Sequence, residues 1–286
     1  MAPVIQSFFD TATNTVTYLV HDPVTRKAAI IDPVLDFDPK AARLSTGSAE
    51  AVLASARDQG LELLYVLETH AHADHLSAAD HIRRETGAKI VIGANIVQVQ
   101  KVFGALFEAD DVTDGESFFD ILIEEGQSLP LGDLAIEVLH TPGHTPACVT
   151  YRISDAAFVG DTLFMPDYGT ARADFPGGDA ATLYRSIHRI LDLPPETRVF
   201  VGHDYLPEGR DTHAWETTVA EERAGNRHVH DGIGEGEFVA MRQARDATLA
   251  APTLILPSLQ VNIRAGGLPA ASSRGRVFLK LPVNAI

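Results

Sequence analysis

The chain has 286 residues, 45% of them hydrophobic, and its formal net charge is −16, from 23 Lys and Arg against 39 Asp and Glu. This length and apolar content allow one large domain or two small ones with a substantial core. The excess of acidic residues, without any block of Lys or Arg, disfavours nucleic acid or an anionic membrane as a partner and favours small molecules.

The single cysteine, Cys148, excludes an intrachain disulfide. The N-terminal stretch MAPVIQSFFD lacks the basic and apolar regions of a signal peptide. No run approaches the ~20 apolar residues of a membrane helix. We therefore expect a protein of a reducing cytoplasm. Because Cys148 lies inside an apolar strand pattern, we expect a buried side chain and not a reactive thiol.

The first half of the chain alternates short apolar runs, rich in β-branched and aromatic residues, with segments of helical periodicity. A turn around Asp22 and Pro23 separates the first two strands, and Gly60 and Gly87 mark the ends of two helices. The pattern predicts strands at 15–22, 27–34, 61–70 and 88–93, and helices at 48–60, 77–87 and 95–104.

The second half begins with strands and then becomes helical. Asp179 is a candidate N-cap for the first of these helices. The apolar run 253–263 should pack on the rest of the chain, so we divide the chain into a domain at 1–206 and a helical and extended C-terminal segment at 207–286 packed on it. The predicted elements are strands within 126–141 and at 147–153, 156–162 and 198–205, helices at 179–191 and 237–249, and a Pro-rich, partly extended tail.

Four potential metal ligands, His70, His72, Asp74 and His75, lie within six residues at the end of the predicted strand 61–70. A lone histidine at a strand end is most often a hydrogen-bonded surface or core residue. Several polar groups beside an apolar strand are costly to bury without partners, and a metal ion removes that cost by using their lone pairs. The strand and the turn after it can direct His70 and His72 to one point, and Asp74 and His75 to a neighbouring point.

Three further predicted strands also stop at a potential ligand. VLHTPGHTPAC contains His140 and His144, AAFVGDT contains Asp161, and RVFVGHDY contains His203. His140 is better explained as a hydrogen-bonding residue at a strand end. Because ligands at successive strand ends converge on one edge of a sheet, four such segments together predict a metal site at that edge.

At these residues the chain resembles the metallo-β-lactamase superfamily, whose signature is His-x-His-x-Asp-His followed by a His, an Asp and a last His. The resemblance covers roughly residues 8–205 and implies an α/β fold, an αββα sandwich of two mixed β-sheets flanked by helices. The domain at 1–206 is then the catalytic domain. The matching positions are His70, His72, Asp74, His75, His144, Asp161 and His203.

Two enzyme families within the superfamily share this ligand set. Glyoxalase II enzymes are thioester hydrolases that hold two metal ions, Zn or Fe, with all seven ligands. Persulfide dioxygenases hold one Fe(II) with the residues that match His70, His144 and Asp161, and two histidines with one carboxylate are the facial triad of non-haem iron oxygenases. The segments MPDYGTARADFPGG and GHDY resemble the second family. This resemblance implies oxidation of glutathione persulfide by O₂ to sulfite and glutathione, in sulfide detoxification.

The resemblance also assigns roles to the other four signature residues, His72, Asp74, His75 and His203. In a dioxygenase they orient the iron ligands, and in a hydrolase they hold a second metal. Spacing alone leaves both roles open. A non-catalytic metal-binding regulator is a further alternative.

Arg172, in ARADF, matches an arginine that binds glutathione in the dioxygenases, although Ala171 and Ala173 depart from the family pattern. The alternative for Arg172 is a structural ion pair with Asp174 or Asp179. Tyr205 matches a tyrosine near glutathione. We expect glutathione persulfide and O₂ as small-molecule partners, neither nucleic acid nor a membrane, and a homodimer as the assembly.

Overall fold

The computed structural model describes residues 1–113 and 117–285. The predicted strands and helices are confirmed, with ends that differ by a few residues. The seven-residue strand at Val4–Asp10 and several shorter elements were not predicted. In chain order the elements are β1 (Val4–Asp10), β2 (Thr15–His21), β3 (Lys27–Ile31), β4 (Val34–Asp38), β5 (Arg43–Ser45), α1 (Gly47–Asp58), β6 (Glu62–Glu68), β7 (Leu76–Ser77), α2 (Ala79–Thr86), β8 (Lys89–Gly93), α3 (Ile96–Leu106), α4 (Asp110–Thr113), β9 (Ile121–Ile123), β10 (Ser128–Leu131), β11 (Leu134–His140), β12 (Val149–Ile153), β13 (Ala156–Gly160), α5 (Ala180–Leu191), β14 (Arg198–Val201), β15 (Glu216–Thr218), α6 (Val219–Gly225), α7 (Glu235–Asp246) and α8 (Ile255–Asn262).

The strands form two large sheets and a small one. The first sheet has the order β1-β2-β3-β6-β8-β9, the second runs from β10 to β15 in sequence order, and the third contains β5, β4 and β7. Strands β3, β6, β8 and β9 are parallel to one another, while β1, β2 and β3 pair antiparallel. In the second sheet the β13 and β14 pair is parallel between antiparallel neighbours. Both large sheets are therefore mixed.

Apolar side chains are buried in three layers. Between the two sheets, Tyr18 of the first packs its ring edge-on against Phe158 of the second, with 5.2 Å between ring centroids. The outer face of the first sheet is covered by α1, α2, α3 and α8, and that of the second by α5, α6 and α7. The predicted αββα sandwich is confirmed.

Local sequence accounts for helices α5 and α6. Asp179 caps α5 by accepting from the Thr182 amide at 2.8 Å, as predicted, and the apolar face of this helix is buried. Helix α6 was not predicted, yet Thr218 and Glu221 form a capping box at its start. The Thr-x-x-Glu spacing was therefore a usable signal.

The tail was expected to be partly extended, and this expectation was wrong for residues 255–262, which form α8. Pro257 lies in the first turn of the helix, where its missing N–H removes no intrahelical hydrogen bond. Leu259 and Val261 are buried against the outer layer of the first sheet. Tertiary burial therefore stabilises a helix in a segment whose prolines suggested extended structure. Among the described residues, no helix is both long enough and apolar enough to cross a membrane.

The carboxyl ends of β3, β6, β11, β13 and β14 lie at one edge of the sandwich. At this edge the two sheets are joined directly, because the Val149 amide donates to Thr69 O at 3.0 Å and the Val16 amide donates to Gly202 O at 2.9 Å. The loops that follow these strands carry the predicted ligands. The edge is thus rigid where the site is built.

Candidate metal centre

The structure brings all seven predicted ligand residues together at this edge. They form two neighbouring groups, and within each group the ligand atoms lie within 4.8 Å of one another. We call His70, His144 and Asp161 the triad, and His72, Asp74, His75 and His203 the second group. The expectation that His70 and His72 share one point was wrong, because His72 lies with Asp74 and His75.

In the triad, both histidines present Nε2 to the same carboxylate oxygen. Asp161 Oδ2 lies 3.8 Å from His70 Nε2 and 3.6 Å from His144 Nε2. The three side chains come from the ends of β6, β11 and β13, so strand order in two sheets sets their spacing. The loop before His144 also needs a glycine. Gly143 has a φ of +134°, and a Cβ there would lie 2.3 Å from Leu183 of α5.

The opposite nitrogen of each triad histidine is bound to the protein. Thr69 Oγ1 donates to Asp32 at 2.8 Å and lies 3.0 Å from His70 Nδ1, so it accepts the Nδ1 proton. His144 Nδ1 donates to the main-chain carbonyl of Arg172 at 2.7 Å. Each contact places the proton on Nδ1 and leaves the Nε2 lone pair facing Asp161, which is how metal-ligating histidines are oriented.

In the second group, His203 links the two sets of ligands. Its Nε2 lies 3.2 Å from Asp74 Oδ2 and 3.3 Å from Asp161 Oδ1. Its Nδ1 lies 3.2 Å from the carbonyl of Asn14. His75 Nδ1 lies 3.2 Å from the carbonyl of Leu76, which again leaves Nε2 facing inward. Asp161 therefore faces both groups, one oxygen towards each.

His72 has the opposite ring orientation, with Nε2 facing acceptors of the protein. Its Nε2 lies 3.0 Å from Asp32 Oδ1 and 3.3 Å from Glu68 Oε2. Both carboxylates are buried. Because Nε2 faces two acceptors, Nδ1 is the nitrogen that can serve as a metal ligand.

Six of the seven residues direct a buried atom at the centre with no hydrogen-bond partner in the described part of the chain. These atoms are the Nε2 atoms of His70, His75 and His203, His72 Nδ1, Asp74 Oδ2 and Asp161 Oδ1. Buried polar atoms without partners are rare because each costs free energy. Converging imidazole and carboxylate lone pairs fit a divalent metal such as Zn or Fe, and coordination would remove that cost.

The pKa shifts agree with this donor chemistry. Burial, together with the neighbouring His72 and His144, holds the pKa of His70 well below its ordinary value. Burial and His72 likewise lower the pKa of His75 to about 3. Neutral imidazole is the form that binds metals, so these two side chains need no proton loss before binding. Burial would also lower the pKa of His72, but Asp32 and Glu68 raise it well above the ordinary value.

Asp32 and Glu68 were missed by the sequence analysis. Asp32 accepts from the Thr69 amide at 2.8 Å as well as from the Thr69 hydroxyl, and so holds the residue before His70. Burial opposes its ionisation, but His72 and Thr69 lower the pKa of Asp32. Asp32 follows β3 directly, in the same way that the ligands follow their strands, and this position was a signal that could have identified it.

The C-terminal segment also reaches the ligand loop. Asn262, in the last turn of α8, donates to the carbonyls of His72 at 2.7 Å and His75 at 2.8 Å, and accepts from the Ser77 amide at 2.8 Å. Asn262 therefore fixes the loop that carries four of the ligands. Sequence reasoning had no signal for it, because the contact joins distant parts of the chain.

An open cavity leads to the metal-ligand cluster. Tyr205, predicted near the substrate, lies at this cavity with 38% of its surface exposed, and its ring centroid is 5.0 Å from that of Tyr168. Phe175 packs edge-on against His144 with 5.2 Å between centroids. The lining includes Asp74, His144 and Asp161, the aromatic residues Phe164, Tyr168, Phe175 and Tyr205, and the arginines Arg172, Arg242 and Arg245.

Arg172 also lies at this cavity, and its guanidinium is paired within its own loop. It donates to both oxygens of Asp174, at 2.5 and 2.7 Å, and to the carbonyl of Ala250 at 2.7 Å. Its guanidinium carbon lies 5.2 Å from the centre of the Phe175 ring. The ion pair anticipated with Asp174 is present, and Asp179 is instead used to cap α5.

Two residues that the sequence analysis excluded from catalysis have structural contacts. Burial raises the pKa of the Cys148 thiol to about 12, so the predicted inert, buried cysteine is confirmed. His140 Nε2 lies 2.8 Å from Asn95 Nδ2 and 3.1 Å from the Pro146 carbonyl, as expected of a hydrogen-bonding residue at a strand end.

An αββα sandwich with seven His and Asp ligands at one edge defines a class of metal-dependent enzymes. The family model described as the metallo-beta-lactamase superfamily matches residues 10–203. The chain belongs to this superfamily, as the signature residues predicted.

Individual relatives carry different activity names. A probable metallo-hydrolase of Burkholderia pseudomallei is 51% identical over 99% of both chains. The glyoxylase B2 of Dictyostelium discoideum is 45% identical over 98% of this chain and 97% of its own length. The human mitochondrial persulfide dioxygenase ETHE1 is 35% identical over 93% of this chain and 90% of its own.

A solved structure agrees with the fold. The crystal structure of ETHE1 from Myxococcus xanthus has a TM-score of 0.74 and 32% sequence identity, and it covers 92% of this chain and 100% of that one. The resemblance to persulfide dioxygenases is therefore confirmed as homology over nearly the whole chain.

Proposed function

We propose that the chain is a persulfide dioxygenase that oxidises glutathione persulfide with O₂ to sulfite and glutathione at one iron held by the triad. One observation carries the proposal. Two of the three triad residues, His144 and Asp161, line the open cavity. In the part of the chain that the structure describes, Asp74 alone of the second group does so, while His72, His75 and His203 are buried away from the cavity. A substrate that enters the cavity therefore meets two of the three triad residues. Homology to persulfide dioxygenases supports the same choice.

Iron bound by two histidines and one carboxylate would supply adjacent open positions where a sulfur anion and O₂ bind together. The protein prepares these positions through fixed hydrogen bonds. Thr69 and the Arg172 carbonyl hold the two imidazoles in one tautomer, and Asp32 holds Thr69. Aromatic side chains, Phe164, Phe175 and Tyr205 among them, give the cavity apolar walls beside the triad.

The reaction balances without a further reductant. Persulfide anion, O₂ and water give glutathione, sulfite and one proton. The terminal sulfur loses the electrons that O₂ accepts, and the bond between the two sulfurs breaks with the electron pair and a proton going to glutathione. Two of the three sulfite oxygens come from O₂ and the third from water.

The test compares two reactions on one iron-loaded sample. We expect O₂ uptake and sulfite formation with glutathione persulfide, and slow hydrolysis of S-lactoylglutathione. One sulfite should form for each O₂ consumed. Rapid thioester hydrolysis without O₂ uptake would overturn the proposal.

A second candidate function is supported by the second group. His72, Asp74, His75 and His203 could hold another metal ion beside Asp161, and two metals bridged by a carboxylate can generate a hydroxide nucleophile. The names of two relatives, a probable metallo-hydrolase and a glyoxylase, point the same way. This candidate is a thioester hydrolase, and the same pair of assays decides between the two.

A further inference from the structure

Three arginines line the cavity, and two of them already carry a partner. Arg172 is paired with both oxygens of Asp174. Arg242 is buried, donates to Asp246 at 2.8 and 2.6 Å, and donates to the Thr170 carbonyl at 3.1 Å. The positive charge of each is therefore largely compensated inside the protein.

Arg245 differs from both. Its side chain is exposed at the cavity wall. Within residues 1–113 and 117–285, no carboxylate oxygen lies within 4.0 Å of its guanidinium, and the guanidinium donates no hydrogen bond. It lies on α7 one turn beyond Arg242, whose contacts hold that helix against the loop at Thr170. The backbone at Arg245 is thus fixed while its charge stays available.

The electrostatics of the cavity give this charge a use. The protein carries a net charge of −16, and Asp74 and Asp161 contribute two carboxylates to the cavity. An anionic substrate needs a local cation to enter such a site. Burial and the positive charge of Arg245 lower the pKa of Arg242, while Asp246 raises it.

We propose that Arg245 determines specificity for substrates with a carboxylate remote from the reacting sulfur, by pairing with that carboxylate at the cavity wall. The ligand class is a thiol-containing peptide such as glutathione. The identity of the reacting sulfur group rests on the proposed function. Since glutathione has two carboxylates, Arg245 supplies an uncompensated site for one of them beside the predicted contact of Arg172.

The test measures binding without turnover. S-methylglutathione is the probe, because its blocked sulfur makes affinity depend on the peptide part. Titration calorimetry on metal-loaded protein should show Arg245→Gln weakening binding by roughly ten- to a hundredfold, the range for losing a charge-assisted hydrogen bond. Arg245→Lys should retain part of the affinity. Arg43→Gln, which changes another exposed arginine outside the cavity, should have no effect.

A second probe separates charge pairing from a change of shape. The dimethyl ester of S-methylglutathione lacks both carboxylates, so wild type and Arg245→Gln should bind it equally. The proposal would be overturned if wild type and Arg245→Gln bound S-methylglutathione with equal affinity, or if wild type did not bind it. It would also be overturned if Arg245→Gln weakened binding of the ester as much as binding of the acid. Because neither probe reacts, absence of O₂ uptake would revise the proposed function and leave this result unchanged.

Discussion

The triad and the second group differ at one histidine, His72, in how the protein compensates the side chain. In the triad, His70 and His144 give Nδ1 to a protein oxygen and keep only Nε2 for a ligand. In the second group, His72 turns Nε2 to the carboxylates of Asp32 and Glu68. Each triad histidine therefore presents one nitrogen, Nε2, to a metal ion. A histidine between two buried carboxylates is stabilised as a cation, and a metal must displace its proton.

This difference suggests a physical reason why the site would bind one metal ion or two. Asp161 belongs to both groups, since one oxygen faces the triad and the other faces His203. A first metal at the triad uses two Nε2 atoms whose opposite ring nitrogens are already bound to the protein. A second metal must also compete with the proton of His72 and with the contact between Asp74 and His203. We therefore expect the triad to bind metal more tightly.

The largest effect should come from Asp161→Ala, because this carboxylate serves both groups. We expect the metal content to fall below about a tenth of wild type and O₂ uptake to fall to background, since losing a direct ligand should exceed the 10- to 100-fold effects of outer contacts. Metal analysis of the purified variant checks this. Asp155→Ala changes a half-buried carboxylate beside β13 that pairs with Arg198 and lies outside both ligand groups, so this variant should keep the wild-type metal content. Retention of one metal per chain would show that the triad does not depend on Asp161.

Asp74→Ala distinguishes the groups directly. If the triad alone holds iron, the variant should keep about one metal per chain while turnover falls by roughly 10- to 100-fold, because His203 loses its partner. Metal content and O₂ uptake measured on one sample give the answer. Wild type with two tightly held metals, of which one is lost in this variant, would assign the protein to the hydrolases.

Arg172→Ala tests the residue whose main chain serves the triad and whose side chain lines the cavity. The carbonyl that holds His144 remains in the variant, so iron should be retained. We expect KM for glutathione persulfide to rise by roughly ten- to a hundredfold, with far less change for a small persulfide that lacks carboxylates. Steady-state kinetics on both substrates and a thermal melt check this.

Asp174→Asn is the matched variant for Arg172. It removes the charge that compensates Arg172. If Arg172 binds the substrate, KM should stay the same or fall. If the ion pair only builds the loop, both variants should lower the melting temperature and impair both substrates equally.

A substitution of Glu222 should have the smallest effect. This residue lies outside the metal-ligand cluster, because no group of potential metal ligands among the described residues includes it. Burial raises its pKa from 4.5 to about 8, and one of its oxygens accepts from Asn226 at 2.6 Å. A carboxyl whose pKa is raised by folding stays protonated in the fold, so stability falls as pH rises from about 4.5 to about 8.

Glu222→Gln should remove this loss. We expect little change in melting temperature at pH 5 and an increase of roughly 5 °C or more at pH 9. Thermal melts of both proteins across this range measure it. A difference that does not grow with pH would show that Glu222 is ionised in the folded protein.

Much of the fold followed from local patterns. Local pattern was sufficient to predict strands β2, β6 and β13 from their apolar runs and helix α5 from its periodicity. In each case the buried face follows the period of the element itself. Helix α8 was missed because Pro257 and the surrounding tail sequence suggested extended structure. The burial that stabilises this helix comes from neighbouring helices and is not visible in the local sequence. Strands β4, β5 and β7 form the separate small sheet, with β4 at its centre, and their five, three and two residues are too few for a period to appear.

The sequence by itself determined the superfamily and the seven candidate ligand residues, because each candidate directly follows a strand or its turn and the spacing is local. Only the tertiary structure decided which nitrogen of each histidine faces the centre, since the partners Asp32, Asn14 and the Arg172 carbonyl come from other elements. The tertiary structure also decided that the charge of Arg172 is compensated by Asp174, while Arg245 is exposed at the same cavity. Charge compensation depends on distances between side chains, and no spacing along the chain encodes those distances.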